Sequence, residues 1–152
     1  MSQLAYVGIG ANLGDAKASV EGAIRALARV PRSELTGRSS LYKTAPVDAT
    51  GPDFINAVAV LRTELSPHEL LHELQAIENE AGRERPYRNA PRTLDLDLLM
   101  VDDVLLDTPD LTLPHPRMHQ RAFVLVPLAE IAPDKVPSAF LASVADQPIA
   151  RL

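Results

Sequence analysis

The chain begins with a short apolar run and then changes to a helical spacing of apolar residues. Residues 4–9 are mostly apolar and lead into a glycine-rich stretch, which predicts a strand followed by a turn. Asp15 is a good helix N-cap, and a helix that starts there has to stop by Pro31. Apolar residues recur between these limits at three- and four-residue spacing, at Val20, Ile24 and Leu27.

Two β-like runs follow, and a loop separates them. Residues 35–44 and 54–65 carry β-compatible side chains, and they predict two antiparallel strands. The segment between them, residues 46–52, contains two prolines and a glycine. These residues interrupt helices and strands, so the segment predicts a loop. Ligand contacts often lie on such loops when a rigid scaffold holds them.

A second helix has the clearest start signal in the chain. Ser66 is in the N-cap position, Pro67 is the first helical residue, and Glu69 is three residues after the cap. Gly82 ends the helical pattern, and a connector rich in Arg and Pro leads to a further strand over residues 93–101.

The predicted order is β-α-β-β-α-β with a C-terminal extension. This order is typical of the ferredoxin-like α+β fold, an antiparallel sheet with helices packed on it. The extension has no glycine and predicts short elements, one helix over 121–131 and a short covering helix. The apolar residues of that covering helix are Phe140, Leu141 and Val144. The length of 152 residues predicts a single domain over residues 1–152.

Composition excludes several classes of protein. The chain has no Cys, which rules out a disulfide scaffold, a thiol nucleophile, a zinc finger and an iron–sulfur protein. No run of 18 apolar residues and no cleavable leader is recognisable, so we expect a cytoplasmic protein without a membrane partner. A net charge of −5 has the wrong sign for bulk binding of nucleic acid.

An Asp-x-Asp pair lies in the last predicted core strand. Alternation of side chains puts Asp95 and Asp97 on one face, about 6.6 Å apart along the backbone, and Leu94, Leu96 and Leu98 on the other. Two like charges on one strand face require a positive partner, and Mg²⁺ accepts carboxylate and phosphate oxygens. The alternative interpretation of this pair is an edge strand whose acidic face is exposed to solvent.

Four arginines precede the acidic pair and suggest an anion site. Arg92 is three residues before Asp95. Guanidinium groups that could bind phosphate and carboxylates that could bind a metal therefore lie at the same end of one predicted strand. Solvated arginines are the alternative. No Walker loop occurs, and the glycines at 8, 10 and 14 do not have dinucleotide-binding spacing. The cluster consists of Arg83, Arg85, Arg88 and Arg92.

Several motifs together resemble the 6-hydroxymethyl-7,8-dihydropterin pyrophosphokinase family. The most specific motif is Pro-Arg-Thr-Leu-Asp-Leu-Asp at residues 91–97. Supporting motifs keep the order and spacing of the family over roughly residues 4–134. They are residues 10–14, 42–46, 54–57, 114–116 and 121–123.

The resemblance implies transfer of pyrophosphate from ATP to the hydroxymethyl group of a reduced pterin, a step in folate biosynthesis. Asp95 and Asp97 would hold two Mg²⁺ ions and, with Arg83 and Arg92, form the catalytic set. The ATP set would be Gln75, Glu78, Arg83, Arg85, Arg88, Arg92, Leu98, His115 and Arg121. The pterin set would be Asn12, Thr44, Ala45, Pro46, Val47, Phe54, Asn56 and Phe123. In that set Phe54 and Phe123 would sandwich the ring.

The sequence departs from the family pattern at three positions. Asn89 and Ala90 stand where the family usually has an aromatic residue and a glycine, and Pro116 stands where an aromatic is common. An aromatic clasp over the nucleotide is therefore not expected here. The remaining alternatives are another Asp-x-Asp transferase, such as a nucleotidyltransferase, and a non-enzymatic sensor module. We expect a monomer that binds only small-molecule substrates.

Overall fold

The computed structural model describes residues 2–45, 52–82 and 94–152. The strands are β1 (Gln3–Ala11), β2 (Ser33–Arg38), β3 (Tyr42–Thr44), β4 (Phe54–Thr63), β5 (Asp95–Val101), β6 (Leu106–Thr108), β7 (Leu111–Leu113) and β8 (Ile149–Arg151). The helices are α1 (Ala16–Leu27), α2 (Pro67–Gly82), α3 (Ala122–Ile131) and α4 (Ser138–Ser143), with 3₁₀ turns at Met118–Gln120 and Pro133–Lys135. None of the helices in the described ranges combines the length and hydropathy that a membrane span requires.

The main sheet has the order β5-β1-β4-β3-β8, and β2 pairs with the other half of β4. Every pairing in it is antiparallel. The predicted α+β, ferredoxin-like arrangement is confirmed, because β4 lies between β1 and the β2/β3 edge and β5 lies on the far side of β1. The C-terminal extension contributes the β6–β7 hairpin, α3, α4 and one further edge strand, β8.

The prediction of one continuous strand over 35–44 is wrong, because Ser39 interrupts the ladder between β2 and β3. The Val58 N–H donates to the Ser39 hydroxyl oxygen at 2.9 Å, a side chain in place of a backbone carbonyl. The Ser39 N–H donates to the Val58 carbonyl at 2.8 Å, so the interruption stays attached to β4. The chain therefore crosses this edge of the sheet in two short strands rather than one.

Both predicted helix starts are confirmed by their caps. Asp15 Oδ1 accepts a hydrogen bond from the Ala18 N–H at 3.1 Å. At α2, the Ser66 N–H donates to Glu69 Oε1 at 2.9 Å and the Glu69 N–H donates to the Ser66 hydroxyl at 3.2 Å. This reciprocal capping box satisfies two backbone donors that a helix start otherwise leaves unpaired.

Helices cover both faces of the sheet. Alternate residues of β1, β4 and β5 pack against α1 and α2 on one face, in a core that includes Val7, Leu61 and Leu98. The opposite face carries Tyr6, Val58 and Leu99, which pack against α3 and the residues that follow it. The expected covering segment is present as α4; Val144 is buried behind it, whereas Phe140 is exposed.

Strand β5 contains a bulge opposite Tyr6. Val7 pairs with Leu98 and Tyr6 pairs with Met100, so Leu99 is one residue more than the ladder needs. Leu99 and Met100 consequently both face the α3 side of the sheet. The Leu99 carbonyl accepts a 2.7 Å hydrogen bond from the His115 N–H, which attaches the segment after β7 to this point.

Candidate active site

A cleft of about 480 Å³ opens on the α3 face of the sheet, at the end where β5 begins. Its floor is formed by β1, β4 and β5, and its roof is formed by the segment that leads into α3. The lining residues are Gly8, Ile9, Gly10, Thr44, Ala45, Phe54, Asn56, Asp95, Asp97, Arg117, Gln120, Arg121, Phe123, Val124 and Gln147.

The acidic pair lies in the cleft as alternation predicted. Asp97 pairs with Gly8 and Asp95 pairs with Gly10 across the β1–β5 ladder. Leu96, between them, is buried in the core under α1 and α2. The floor beside the carboxylates is therefore bare backbone, which leaves space for a ligand to approach them closely.

Two cationic side chains face the carboxylates from the roof. Arg117 and Arg121 line the same cleft as Asp95 and Asp97. The guanidinium carbon of Arg121 lies 5.2 Å from the centre of the Phe123 ring, a cation–π contact. Carboxylates and guanidinium groups across one cleft suit a ligand with phosphate oxygens and a bound divalent cation.

A buried amide defines the other end of the cleft. Asn56 and Thr44 are each only 5% exposed, and the Thr44 hydroxyl donates to Asn56 Oδ1 at 2.7 Å. That bond fixes the orientation of the amide and turns Nδ2 toward Gly10, where an added Cβ would lie 2.9 Å from it. Among the described residues, Asn56 Nδ2 has no hydrogen-bond acceptor, so a buried donor faces the cleft without a partner.

Two aromatic rings flank this amide. Phe54 and Phe123 are half-buried, and both line the cleft beside Asn56. Within the described ranges, they are not stacked on each other. Two apolar rings near an unpaired amide suit a flat heterocycle that carries hydrogen-bonding edges.

His115 lies near the acidic pair but does not line the cleft. Burial is the largest influence on the pKa of His115 and lowers it; Asp97 opposes this, whereas Arg121 and Arg117 add to it. Its Nδ1 accepts the Arg117 N–H at 3.2 Å, which assigns the proton of the neutral ring to Nε2. His115 can therefore donate one hydrogen bond, for example to a phosphate oxygen.

The donor set fits Mg²⁺ rather than a metal held wholly by protein. In the described part of the chain, no three His, Asp or Glu side chains cluster in a way that could enclose an ion. Mg²⁺ characteristically binds through one or two carboxylates and takes its remaining ligands from water and substrate phosphates. Asp95 and Asp97 are the carboxylates of the cleft that could supply that partial shell.

Four other predicted residues lie apart from the cleft lining. Gln75 is exposed on α2. Glu78 Oε2 accepts the Leu96 N–H at 2.8 Å and so holds β5 between the two aspartates. The Leu98 side chain is 3% exposed in the core on the opposite face from Asp97. Asn12 Nδ2 donates to the Pro52 carbonyl at 3.3 Å, which ties the turn after β1 to the approach to β4.

Some predicted residues lie outside the described residues. They are Pro46 and Val47 of the loop after β3, Arg83, Arg85, Arg88 and Arg92 of the connector before β5, and the unusual Asn89 and Ala90. Their roles stay predictions.

The sequence did not single out several residues that line the cleft. Gly8 belongs only to the glycine spacing near the start of the chain and Gly10 also to the family motif at residues 10–14, and neither is a predicted site residue. Alternation along β1 places both on the same face as the acidic pair. Arg117 and Gln120 belong to a turn without periodic signal. Gln147 lies far along the chain, where no motif points to the cleft.

Comparison with sequence families gives one family over most of the chain. Residues 6–133 match the sequence model of the 7,8-dihydro-6-hydroxymethylpterin-pyrophosphokinase family. A Pseudomonas aeruginosa 2-amino-4-hydroxy-6-hydroxymethyldihydropteridine pyrophosphokinase is 48% identical over 135 residues, 88% of this chain and 83% of the relative. The Haemophilus influenzae protein of the same name is 46% identical over 133 residues, 87% and 83% of the two chains.

Solved structures share the fold at low identity. An HPPK-DHPS crystallised with substrates superposes with a TM-score of 0.68 at 12% identity, over 86% of this chain and 40% of that chain. The Plasmodium falciparum HPPK-DHPS A437G gives 0.69 at 13% identity, over 88% and 42%. The chain thus spans about two fifths of these structures, and the similarity supports the fold alone.

Proposed function

The chain belongs to the 7,8-dihydro-6-hydroxymethylpterin-pyrophosphokinase family, and on that premise we propose how its cleft transfers pyrophosphate from ATP to 6-hydroxymethyl-7,8-dihydropterin. One observation carries the proposal: the acidic pair and the Asn56 amide lie in the same cleft of about 480 Å³. The first suits a metal–phosphate group and the second suits a flat heterocycle with polar edges. The products are AMP and the pterin diphosphate.

The pterin subsite consists of Phe54, Phe123, Asn56 and the end of β3. The Asn56 Nδ2 donates to an acceptor on the pterin edge, which supplies the partner that this buried group lacks. The Phe54 and Phe123 rings enclose the two faces of the heterocycle. The ring cannot then rotate, and its hydroxymethyl group is directed along the floor toward the carboxylates.

The phosphate subsite consists of Asp95 and Asp97 on the floor and Arg117 and Arg121 on the roof. The two carboxylates would hold Mg²⁺, for which we propose two ions; when bound, the ions would supply positive charge that neutralises the phosphate oxygens. The guanidinium groups bind non-bridging oxygens, and His115 donates from Nε2. Arg83, Arg85, Arg88 and Arg92 are proposed as further ATP ligands, with Gln75 and Glu78 nearer to the nucleoside. Leu98 is proposed to contribute to ATP binding through its backbone alone, because its side chain lies in the core.

The reaction forms one bond and breaks one. The hydroxymethyl oxygen of the pterin bonds to the β-phosphorus of ATP, the bridge between the α- and β-phosphorus breaks, and AMP departs with the bridging oxygen. The hydroxyl proton passes to a base, for which Asp97 is the nearest carboxylate candidate. The protein itself makes no covalent bond, so positioning and charge neutralisation account for the rate.

The direct test is to incubate the protein with ATP, Mg²⁺ and 6-hydroxymethyl-7,8-dihydropterin and to resolve the nucleotides by chromatography. We expect AMP to form only when the pterin is present. ADP in place of AMP would mean simple phosphoryl transfer and would overturn the proposal. Folded protein that gives no pterin-dependent nucleotide would return the assignment to another Asp-x-Asp transferase. A monomeric state and a cytoplasmic location remain predictions.

A further inference from the structure

The segment after α4 contacts both walls of the pterin end of the cleft. Gln147 reaches the start of α3, whose second residue is Phe123. Two residues later, Ile149 pairs with Thr44 of β3. This segment lies beyond residue 133, where the family match ends, so the family comparison assigns it no role.

Gln147 satisfies the backbone at the start of α3. Its Oε1 accepts the Ala122 N–H at 2.9 Å, and its Nε2 donates to the Gln120 carbonyl at 2.9 Å. Arg121 is the N-cap residue of α3, and its side chain makes no cap hydrogen bond. A side chain 25 residues away in sequence therefore supplies the acceptor that a local cap usually gives.

These two bonds bracket Arg121, and Phe123 follows directly after Ala122. The direction of the Phe123 ring depends on the backbone at Ala122, because a ring with two side-chain torsions cannot compensate for a displaced backbone. The Arg121 guanidinium has more rotatable bonds and can adapt. Loss of the Gln147 hydrogen bonds should therefore displace the Phe123 ring more than the Arg121 guanidinium.

The same segment fixes the opposite wall. Strand β8 pairs with all of β3, from Tyr42 opposite Arg151 to Thr44 opposite Ile149. A hollow of about 210 Å³, lined by residues that include Thr44, Phe123 and Gln147, lies between the two walls. At this end, the segment therefore links the two walls across the hollow, in addition to the pairing of β3 with β4 and the hydrogen bond from the Tyr42 hydroxyl to Glu130 of α3.

We infer that Gln147 is a positioning residue for the pterin, which holds Phe123 at the correct distance from the Thr44–Asn56 pair by joining the start of α3 to β8. The inference rests on the proposed function, because it names the pterin as the ligand of that end of the cleft. Gln147 acts through the Ala122 and Gln120 backbone and is not itself a catalytic residue.

The test measures binding of 6-hydroxymethyl-7,8-dihydropterin and of a non-hydrolysable ATP analogue by calorimetry. Gln147→Met keeps the length of the side chain but loses both strong hydrogen bonds, and we expect the pterin Kd to rise about three- to tenfold. The Kd of the ATP analogue should change less than twofold. Gln147→Glu retains the acceptor for the Ala122 N–H and should lose less pterin affinity than Gln147→Met.

Ser143→Ala is the matched control, because the Ser143 hydroxyl donates to the Phe140 carbonyl within α4, just before the segment, and Ser143 does not line the cleft. Its pterin affinity should equal that of the wild type. If Gln147→Met does not fold, Gln147→Asn decides the same question, since its shorter side chain cannot reach both backbone groups.

The outcomes are distinguishable. Wild-type protein that binds no pterin would refute the proposed function and this inference with it. If Gln147→Met binds pterin as tightly as the wild type does, the inference alone is overturned. The same holds if Gln147→Met loses affinity for pterin and for the ATP analogue equally. A purely structural role would lower the melting temperature and kcat and leave the pterin Kd of the folded fraction unchanged.

Discussion

The Thr44 hydroxyl donates a 2.7 Å hydrogen bond to Oδ1 of Asn56, from the neighbouring strand and at a buried position. An asparagine amide has two ends, and this bond decides which end the ligand meets. With Oδ1 occupied, only the donor end of Asn56 is presented to the cleft. The specificity of the proposed pterin subsite should therefore depend on Thr44, which bonds the end of the amide that points away from the ligand.

Thr44→Val should weaken pterin binding about three- to tenfold, because it leaves Asn56 Oδ1 buried without a donor and frees the amide to turn. Binding of an ATP analogue should be unchanged. Calorimetry with each ligand checks this. Thr36→Val is the control, since the Thr36 hydroxyl donates to the Val60 carbonyl from β2, and Thr36 does not line the cleft. Equal losses of both ligands would contradict the assigned role of Thr44.

Gly10→Ala should lower kcat/KM for the pterin about tenfold, because its Cβ would lie 2.9 Å from Asn56 Nδ2 and force the amide away. Steady-state assays with varied pterin measure the effect. Gly37→Ala is the comparison, since a Cβ there meets nothing within 4 Å among the described residues. Full activity of Gly10→Ala would show that Asn56 can shift without loss.

Asp95→Ala and Asp97→Ala should each reduce turnover by about two to three orders of magnitude, because the charges proposed to hold Mg²⁺ against the phosphates are lost. Far-UV circular dichroism should be unchanged, since neither side chain belongs to the core. Asp103→Ala, an exposed acid outside the cleft, should be fully active. Normal rates for both cleft variants at saturating Mg²⁺ would remove the metal assignment.

Phe123→Ala should raise the pterin Kd about tenfold, because a stacking surface for the heterocycle is lost. The ATP analogue should bind with a smaller loss, which reflects only the Arg121 contact with the ring. Calorimetry separates the two effects. If the variant loses thermal stability but no pterin affinity, Phe123 is a packing residue instead.

The stability of α2 should depend on pH through Glu69. Hydrogen bonds from the Ser66 N–H and hydroxyl lower the pKa of Glu69 below its ordinary value of 4.5. A lowered carboxyl pKa stabilises the folded state above pH 4.5, and this stability is lost as the pH falls through the folded-state pKa.

The melting temperature of Glu69→Gln should therefore be lower than that of the wild type at pH 7, and the two should converge toward pH 3. Scanning calorimetry over this range measures the difference. Glu73→Gln, on the same helix but outside the capping box, is the control for replacing a carboxylate by an amide. A constant difference between the wild type and Glu69→Gln at every pH would mean that the charge of Glu69 is not involved.

Much of the core fold was predictable because it depends on periodicity. The strand–helix order, both helix caps and the shared face of Asp95 and Asp97 all follow from local spacing of residue types. The break at Ser39 was not predictable, because a serine that replaces a ladder carbonyl is recognised only once its partner Val58 is known.

The site was predictable in part for a different reason. Motifs identified Asp95, Phe54, Asn56 and Phe123, which the cleft brings together. Gln147 and Arg117 have no motif, since their contribution depends on where the extension crosses the sheet. Leu98 shows the converse, because alternation already put its side chain on the face opposite the aspartates, whereas only the resemblance assigned it to ATP.

The bulge in β5 cannot be replaced by a regular strand without the loss of a contact. Deletion of Leu99 would give a regular ladder, with Asp95 and Asp97 still in register with β1. The same deletion would remove the carbonyl that anchors His115. A design that stabilises this strand should therefore keep the extra residue, because it connects the sheet to the chain segment that carries Arg117 and Arg121 to the cleft. Natural length variation in this strand is expected to be constrained by that connection rather than by the sheet itself.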